Sequence, residues 1–482
     1  LKPEILTADA ELLKKIAKVA QDHNTLCYVI GGFVRDQLLN RPSKDIDIVT
    51  VGDGIIFAEA VAKYLNRTEH LVTYGRYGTA MLKLDGHEIE FVGARKESYT
   101  TDSRNPHVLP GTIEEDQLRR DFTINAMAIS LNAHDYGELI DPFNGVDDLS
   151  NQIIRTPTDP DTTFSDDPLR MIRAIRFATQ LGFSIEESTF NSIKSKAHRI
   201  DIISKERILV ELNKILMSME PSVGFHLLMN SKLLHLILPE VYDLKGAEYI
   251  DGVGHKDNFY HTLEVVDNVR RKSSNLWLLW AALLHDIGKP PTKKFHKELG
   301  WTFHGHENVG AKMVYKLFTR MKMPLDHKLK YVQKLVALHL RPISLTKENI
   351  SDAAIRRLLF DAGEEIDDLM VLCSADITSK NASKKAKYLA NYEIVKQLMD
   401  QVEEKDRLRN WQPPITGEII MSSFNIKPCK EVGIIKTSIR EAILDGIIEN
   451  EYSNAFNFMI IEGKKLGLTA IENPSHKTTD TK

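Results

Sequence analysis

Gly31-Gly32-Phe33-Val34-Arg35-Asp36 and, nine residues beyond, Asp45-Ile46-Asp47 form the stretch on which the reading of this chain turns. The apolar run 26–30 before it reads as a short buried strand. The glycine pair then opens a helix to about Leu39, and residues 45–51 read as a second strand. Residues two apart on a strand project from one face, so Asp45 and Asp47 aim two carboxylates at one point. A hard cation such as Mg2+ takes oxygen ligands in that arrangement, completed by water and substrate phosphates. Metals held there can activate a hydroxyl and neutralise a leaving pyrophosphate. Gly31 and Gly32 allow close backbone approach, and the helix they open offers unpaired N–H groups to a triphosphate. An isolated Asp-x-Asp is a common accident. Gly-Gly, Arg-Asp and Asp-Ile-Asp in order, with a helix between, are not.

Around this stretch the signals alternate. Residues 10–20 and 55–65 have helical periodicity, and 79–84 and 88–92 read as strands. Together they predict an α/β head with a mixed sheet and flanking helices. Residues 100–110 are polar and contain Pro106 and Pro110, which predicts a mobile loop. Beyond Pro157 helical periodicity takes over and predicts a long all-α body. A chain of 482 residues is too long for one core. The expected division is a head at 1–157, a helical neck at 158–240, a metal-binding helical domain at 241–400 and a helical tail at 401–482, whose last dozen polar residues are expected to fray.

Composition narrows the class. Cys27, Cys373 and Cys429 lie far apart, which fits a reduced cytoplasm without a disulfide framework or zinc-finger spacing. The apolar run 276–284 is too short to span a bilayer, and Glu4, Asp9 and Glu11 interrupt any signal-peptide pattern, so no membrane partner is expected. A net charge of −4 shows no global basic character, so nucleic-acid binding would rest on local arginine clusters.

Two further constellations carry chemistry. Asp166-Asp167-Pro168-Leu169-Arg170 opens a helix on which Arg170, Arg173 and Arg176 recur every three residues as a basic stripe. A carboxylate and a guanidinium three residues apart can offer acceptors and donors to one nucleobase edge. In the body, His261 is followed by His285-Asp286 at the end of an apolar helix, then by His304-Gly305-His306, His339 and Asp376. Burying His-Asp unpaired is costly, and a metal resolves that cost. His304 reads as a structural histidine.

The ordered motifs resemble the class II tRNA nucleotidyltransferase and bacterial poly(A) polymerase family of the polymerase β superfamily. They are GGFVRDQLLNRPSKDIDI at 31–48, ARKESY at 94–99, RRDFTINAMA at 119–128, DPFNGVDDL at 141–149, DDPLRMIRAIRFATQLGF at 166–183 and ERILVEL at 206–212. The resemblance implies that Asp45 and Asp47 hold Mg2+ and that Glu90 is a third acid, although Glu88 shares its strand face. It places Gly31, Gly32, Arg35, Arg95, Arg119, Arg120, Asp121, Asn125, Arg173 and Arg176 around the nucleotide. Asp167 and Arg170 match the family's base-reading pair, with Asp166 where Glu is more usual. The implied activity is CCA addition to tRNA from CTP and ATP.

Gly75-Arg76-Tyr77-Gly78-Thr79 stands where poly(A) polymerases of the family carry Gly-Arg-Arg-Phe, and the loop from Lys96 to Asp116 has full length. Both favour complete CCA synthesis over poly(A), CC-only or A-only addition. LLHDIGKP at 283–290 resembles the HD superfamily of metal phosphohydrolases. That likeness implies His261, His285, Asp286 and Asp376 as a core ligand set for a divalent transition metal, with His306 and His339 as ligands of a second. Phosphohydrolysis of RNA ends, with the head as an RNA-positioning module, and a non-catalytic RNA-binding role remain the alternatives of other classes.

Overall fold

Ile46 and Ile48 are fully buried, whereas the intervening Asp47 is only partly so and Asp45 is exposed. This period-two alternation is what a strand with one wet face requires. The computed structural model describes residues 7–471, apart from residues 85, 101–102, 247–248, 251–252, 255–256, 346–350, 379–381 and 407–412. The polar C-terminal tail expected to fray lies outside the described residues. The chain divides into two compact units, Leu1–Tyr242 with Met321–Met323, and Asp243–Arg320 with Pro324–Lys482. Head and neck, read above as separate domains, fall within the first.

The first unit opens with α1 (Thr7–Asp22), β1 (Cys27–Ile30), α2 (Gly32–Leu38), β2 (Asp45–Thr50) and α3 (Gly54–Tyr64). Strands β3 (Leu71–Tyr74), β4 (Thr79–Leu84) and β5 (His87–Gly93) follow, and β8 (Ala128–Ser130) and β9 (Leu139–Ile140) come after an excursion. These build one mixed sheet in the order β3-β4-β5-β2-β1-β8-β9. Strand β2 runs parallel to β5 and antiparallel to β1, with Asp45 opposite Glu88 and Asp47 opposite Glu90. Asp53 caps α3 by accepting from the N–H groups of Ile55 and Ile56 at 2.8 and 3.1 Å. Phe57 of α3 meets Phe91 of β5 edge-to-face at 5.9 Å, which seats the helix on the sheet.

The excursion corrects the expected loop. Strands β6 (Arg95–Thr100) and β7 (Ser103–Pro110) pair antiparallel, with a register shift between Ser98 and Thr100. Pro106 and Pro110 are compatible with this because a two-stranded ribbon leaves one edge of each strand without a ladder to donate to. Helix α4 (Ile113–Leu118) follows, its start fixed by a capping box in which Thr112 and Glu115 each bond the other's backbone N–H.

Further along lie α5 (Gly145–Ser150), α6 (Pro160–Asp166), α7 (Leu169–Leu181), α8 (Glu187–Lys196) and α9 (Lys205–Leu216). Helix α7 buries Met171, Ile172, Ala174, Ile175 and Ala178 and stops at Gly182, whose φ of 74° is the left-handed ending glycine permits. A short parallel pair, Ile153–Ile154 with Ser184–Ile185, brackets it.

The second unit is helix-rich. The helix Leu276–Leu284 is buried along almost its whole length and packs against Asn258–Lys272 and His327–Leu338. Two short antiparallel ribbons, Tyr249–Ile250 with Val253–Gly254 and Lys294–His296 with Gly300–Thr302, qualify the all-α expectation. At two or three residues per strand they are too short for alternation to register in sequence. Among the described residues no helix is long and apolar enough to cross a membrane.

Because Ile48 is fully buried beneath the acid-bearing strand, Ile48→Ala is expected to cost about 2–5 kcal/mol of stability. Denaturant unfolding checks this, and a change under 1 kcal/mol would contradict the packing described.

Candidate active site and metal centre

The register of β2 against β5 gathers the acids. Asp45, Asp47, Glu88 and Glu90 all line a cleft of about 500 Å3 with Gly31, Gly32, Arg120, Asp121 and Arg173. Glu88 is drawn to Lys83 at 2.9 Å and is half exposed, whereas Glu90 stands directly across from Asp47. Burial, and secondarily the neighbouring Asp45 and Asp116 charges, raises the Asp47 carboxyl above its usual range, while Arg120 opposes the shift. Glu90 is raised by burial and by Asp47, against Arg95 and Arg120. Carboxylates packed this way favour a proton or a cation, and a divalent ion with oxygen ligands fits this donor set.

Gly31 is the hinge of this arrangement. Its φ is 82°, and a Cβ there would lie 3.0 Å from Arg120 Nη1 and 3.2 Å from Asp47 Oδ2. Glycine thus serves both conformation and space. The space goes to two side chains of the cleft, and α2 spans only seven residues.

The arginines separate into distinct environments. Arg119 donates from Nε and Nη2 to Oδ1 of Asp116 at 3.0 and 2.6 Å. Arg120 donates from Nε and Nη2 to Oδ2 of the same residue at 3.3 and 3.1 Å. Asp116 is fully buried. Of these two arginines only Arg120 lines the cleft. Arg95 is not among the lining residues, although its charge reaches Glu90.

Arg35 is buried, donating to Asn125 Oδ1 at 2.7 Å and to both carboxylate oxygens of Asp36 at 2.9 Å. Asn125 in turn donates to Asp121, which accepts from Arg173 at 2.8 and 2.5 Å. Phe177 lies beneath three guanidinium groups, with Arg176, Arg35 and Arg173 at 3.9, 5.1 and 5.5 Å from its ring centroid.

Arg176 lines the cleft but is 8% exposed and ion-paired with Glu211 of α9 at 3.1 Å. Burial brings its guanidinium down to about 10. Asp167 and Arg170 are not lining residues. Asp167 accepts from Arg207 at 3.1 Å and from the N–H of Leu169, and Arg170 donates to the carbonyl oxygens of Arg119 and Thr163 at 2.6 and 3.4 Å. Sequence reasoning missed Asp116, Phe177, Arg207 and Glu211. Asp116 had a signal, since it stands three and four residues before Arg119 and Arg120, the spacing at which helical ion pairs meet.

In the second unit the six expected ligands come together, with the four histidines around Asp286 and with Asp376 beside two of them. His285 Nε2 lies 3.3 Å and His261 Nε2 3.7 Å from its Oδ2, and Asp376 Oδ1 is 2.8 Å from His261 Nε2. His306 Nε2 and His339 Nε2 lie 3.3 and 3.8 Å from its other oxygen. The Nδ1 atoms of His285, His306 and His339 each sit 2.7–2.8 Å from a backbone carbonyl oxygen, those of Ala282, Phe303 and Val336. Each ring therefore donates from Nδ1 and turns its Nε2 atom inward.

Those three Nε2 atoms are buried without hydrogen-bond geometry to any partner, close though the carboxylate is. Burial and the neighbouring His285 push His339 down to about 4, so it is neutral near pH 7. Despite burial, His285, His306 and Lys289 hold the Asp286 carboxyl well below its ordinary range. Buried Nε2 atoms gathered about a shared carboxylate are a donor set that fits a divalent cation. His304, read above as a structural histidine, is exposed and lines a second cleft of about 530 Å3 beside His306, with Lys289 and Arg341.

The buried Asp121–Arg173 pair yields a stability test. Against its own desolvation, Asp121 is held at about 2 by Arg173 and Asn125. Its stabilisation is thus complete above the ordinary carboxylate range and lost as pH falls through about 2. Asp121→Asn is expected to lower stability by about 2 kcal/mol at pH 7 and to flatten this acid dependence. Unfolding curves from pH 7 to pH 2 check both, and an unchanged acid limb would contradict the assignment.

Comparison with known proteins follows the same outline. The family models "Poly A polymerase head domain", "Probable RNA and SrmB- binding site of polymerase A" and "HD domain" match residues 27–155, 182–244 and 258–403. The chain is 32% identical to the A-adding tRNA nucleotidyltransferase of Deinococcus radiodurans over 69% of its own length and 76% of that protein. It is 35% identical to the multifunctional CCA protein of Laribacter hongkongensis over 72% of this chain and 84% of that protein. Its fold is similar to that of the Thermotoga maritima CCA-adding enzyme complexed with tRNA-CCA, with a TM-score of 0.57 at 22% identity, covering 95% of this chain and 96% of that one. With three acids on two central strands of the sheet, the Arg-Arg-Asp network beside them and a histidine–aspartate cluster in the second unit, the chain belongs to the tRNA nucleotidyltransferase and poly(A) polymerase family.

Proposed function

We propose that the head transfers CMP and AMP to the 3′ end of tRNA, completing CCA from CTP and ATP. The observation that carries this reading is the adjacency of Asp45, Asp47 and Glu90 in a cleft that also holds Arg120 and Arg173. The RNA 3′-hydroxyl oxygen bonds to the α-phosphorus and gives up its proton to water, while the bond from the α-phosphorus to the bridging oxygen breaks and pyrophosphate leaves. Mg2+ held by Asp45, Asp47 and Glu90 would offset charge on the reacting phosphate and the leaving group. Arg120 presents its guanidinium toward the same space, where it stabilises phosphate charge.

Asn125 and Asp121, fixed by Arg35 and Arg173, offer polar groups of set orientation to the ribose. Asp167 and Arg170 are the base-selecting pair in this reading. Their present partners, the Arg207 side chain and two backbone carbonyls, hold them in place at the start of the helix that carries Arg173. The relatives named above include one A-adding enzyme and one multifunctional CCA protein. The palm segment Gly75-Arg76-Tyr77-Gly78-Thr79 and the full-length β6–β7 hairpin support the complete CCA reaction.

The test is label incorporation into three tRNAs ending at the discriminator base, at C and at CC, with CTP, ATP or both. Ordered addition that stops after CCA is expected; long A-tails or addition to the CC end alone would overturn complete CCA synthesis. Asp47→Ala should reduce incorporation at least about a thousandfold while tRNA affinity stays within about twofold. Arg170→Ala should narrow the preference between CTP and ATP about tenfold, and an unchanged ratio would count against its role.

The inward histidines favour a second activity. We propose that the HD site binds two divalent transition metal ions and hydrolyses phosphate esters at RNA ends, with Lys289, His304 and Arg341 lining the approach. Metal analysis of the purified full chain should find about two ions per molecule, and His306→Ala with His339→Ala about one. Turnover of a 2′,3′-cyclic nucleotide should fall with the second ion. Metal content below half an ion in the unaltered protein would sink this reading.

A further inference from the structure

Asp116 is fully buried in a position that the nucleotidyl-transfer reading does not by itself use. Its two carboxylate oxygens divide their partners: Oδ1 takes Arg119 and Oδ2 takes Arg120. Two positive groups around one fully buried acid are more than neutralisation needs, so the arrangement is a geometric device as much as an ion pair. The edge of Arg120 that Asp116 engages is Nε with Nη2. That leaves Nη1 directed at the space over Gly31, where a Cβ would stand 3.0 Å from it and 3.2 Å from Asp47 Oδ2.

Gripping one edge of a planar guanidinium fixes the direction of the other. The second partner extends the device toward base selection. The Arg119 carbonyl oxygen accepts from Arg170 Nη2 at 2.6 Å, so Arg170 is tied to the same turn of backbone. The base of the clasp is itself rigid. Helix α4 is capped by Thr112 and Glu115, and Gln117 donates to the carbonyl oxygens of Ala126 and Ile140 at 2.7 and 3.1 Å.

We propose that Asp116 is a positioning residue for nucleotidyl transfer: it aims Arg120 at the triphosphate beside Asp47 and grips the side chain of Arg119, the residue whose carbonyl oxygen seats Arg170. This rests on the proposed activity of the head. With Asp116 removed, Arg120 turns from its edge-on grip, and its uncompensated charge sits beside the acids that hold the cation. Both triphosphate binding and the Mg2+ requirement then change, without any loss of a group that touches substrate.

The experiment is Asp116→Asn in the full-length protein, assayed by CMP incorporation into tRNA lacking CCA across ranges of CTP and Mg2+. The expected result is a CTP KM raised about tenfold and a half-saturating Mg2+ raised about threefold, with tRNA affinity within about twofold of the original. A purely structural role would lower kcat in step with the folded fraction and leave KM and Mg2+ dependence unmoved, and that outcome overturns the inference. Should the single variant not fold, Arg119→Gln is compared with the charge-balanced Arg119→Gln/Asp116→Asn. A higher CTP KM and Mg2+ requirement in the double supports the inference, and identical values overturn it. Absence of incorporation by the unaltered protein would instead remove the reading of the head on which this depends.

Discussion

Three carboxylates on two neighbouring strands repel one another, and most of the first unit's polar architecture is arranged around that repulsion. The parallel register of β2 and β5 sets Asp47 against Glu90, and the sheet beneath is too well packed to let either retreat. Burial and proximity raise both carboxyls. Within the protein, Arg120 and Arg95 offset the charge; a divalent cation bearing a triphosphate does so more completely. Gly31 has to be glycine in this setting because a side chain would occupy the gap between Arg120 and Asp47.

The counter-charges are held by acids of their own. Asp116 grips Arg119 and Arg120, Asp121 grips Arg173, and Glu211 faces Arg176. Phe177 offers its face to three guanidinium groups at once, so cations that would otherwise repel are packed against one ring. The cleft therefore comes with its donors oriented before substrate arrives, which is where electrostatic stabilisation of a reacting phosphate has most effect.

The second unit solves a related problem with the opposite charge balance. Four histidines surround Asp286 and Asp376, and the Nε2 atoms of three of them, His285, His306 and His339, are buried without hydrogen-bond geometry to a partner. Backbone carbonyls take the Nδ1 side of three of those rings, so their Nε2 atoms have nowhere to turn except toward the shared centre. Asp286 divides these rings between its oxygens, with His261 and His285 nearest one and His306 and His339 nearest the other.

The amino-acid sequence by itself determined the elements that carry the chemistry. The alternation of Asp45-Ile46-Asp47-Ile48, the glycine pair and the apolar helix ending in His285-Asp286 are local patterns, and local sterics and burial dictate their outcome. The family motifs extended that reading to the ligand set of the second unit. The tertiary structure alone decided which side chains meet. Glu90 rather than Glu88 faces Asp47 without a competing lysine because strand register, set by the whole sheet, assigns Glu88 to Lys83.

Likewise Arg119 and Arg120 are adjacent in sequence, yet only one lines the cleft, because Asp116 holds them by different oxygens. The β6–β7 ribbon was illegible because its polar, proline-bearing sequence carries no apolar alternation, and pairing between the two strands is a long-range feature. Spacing along the chain fixes which face a residue occupies, but distance across the chain depends on how faces pack, and that is settled only when the core closes.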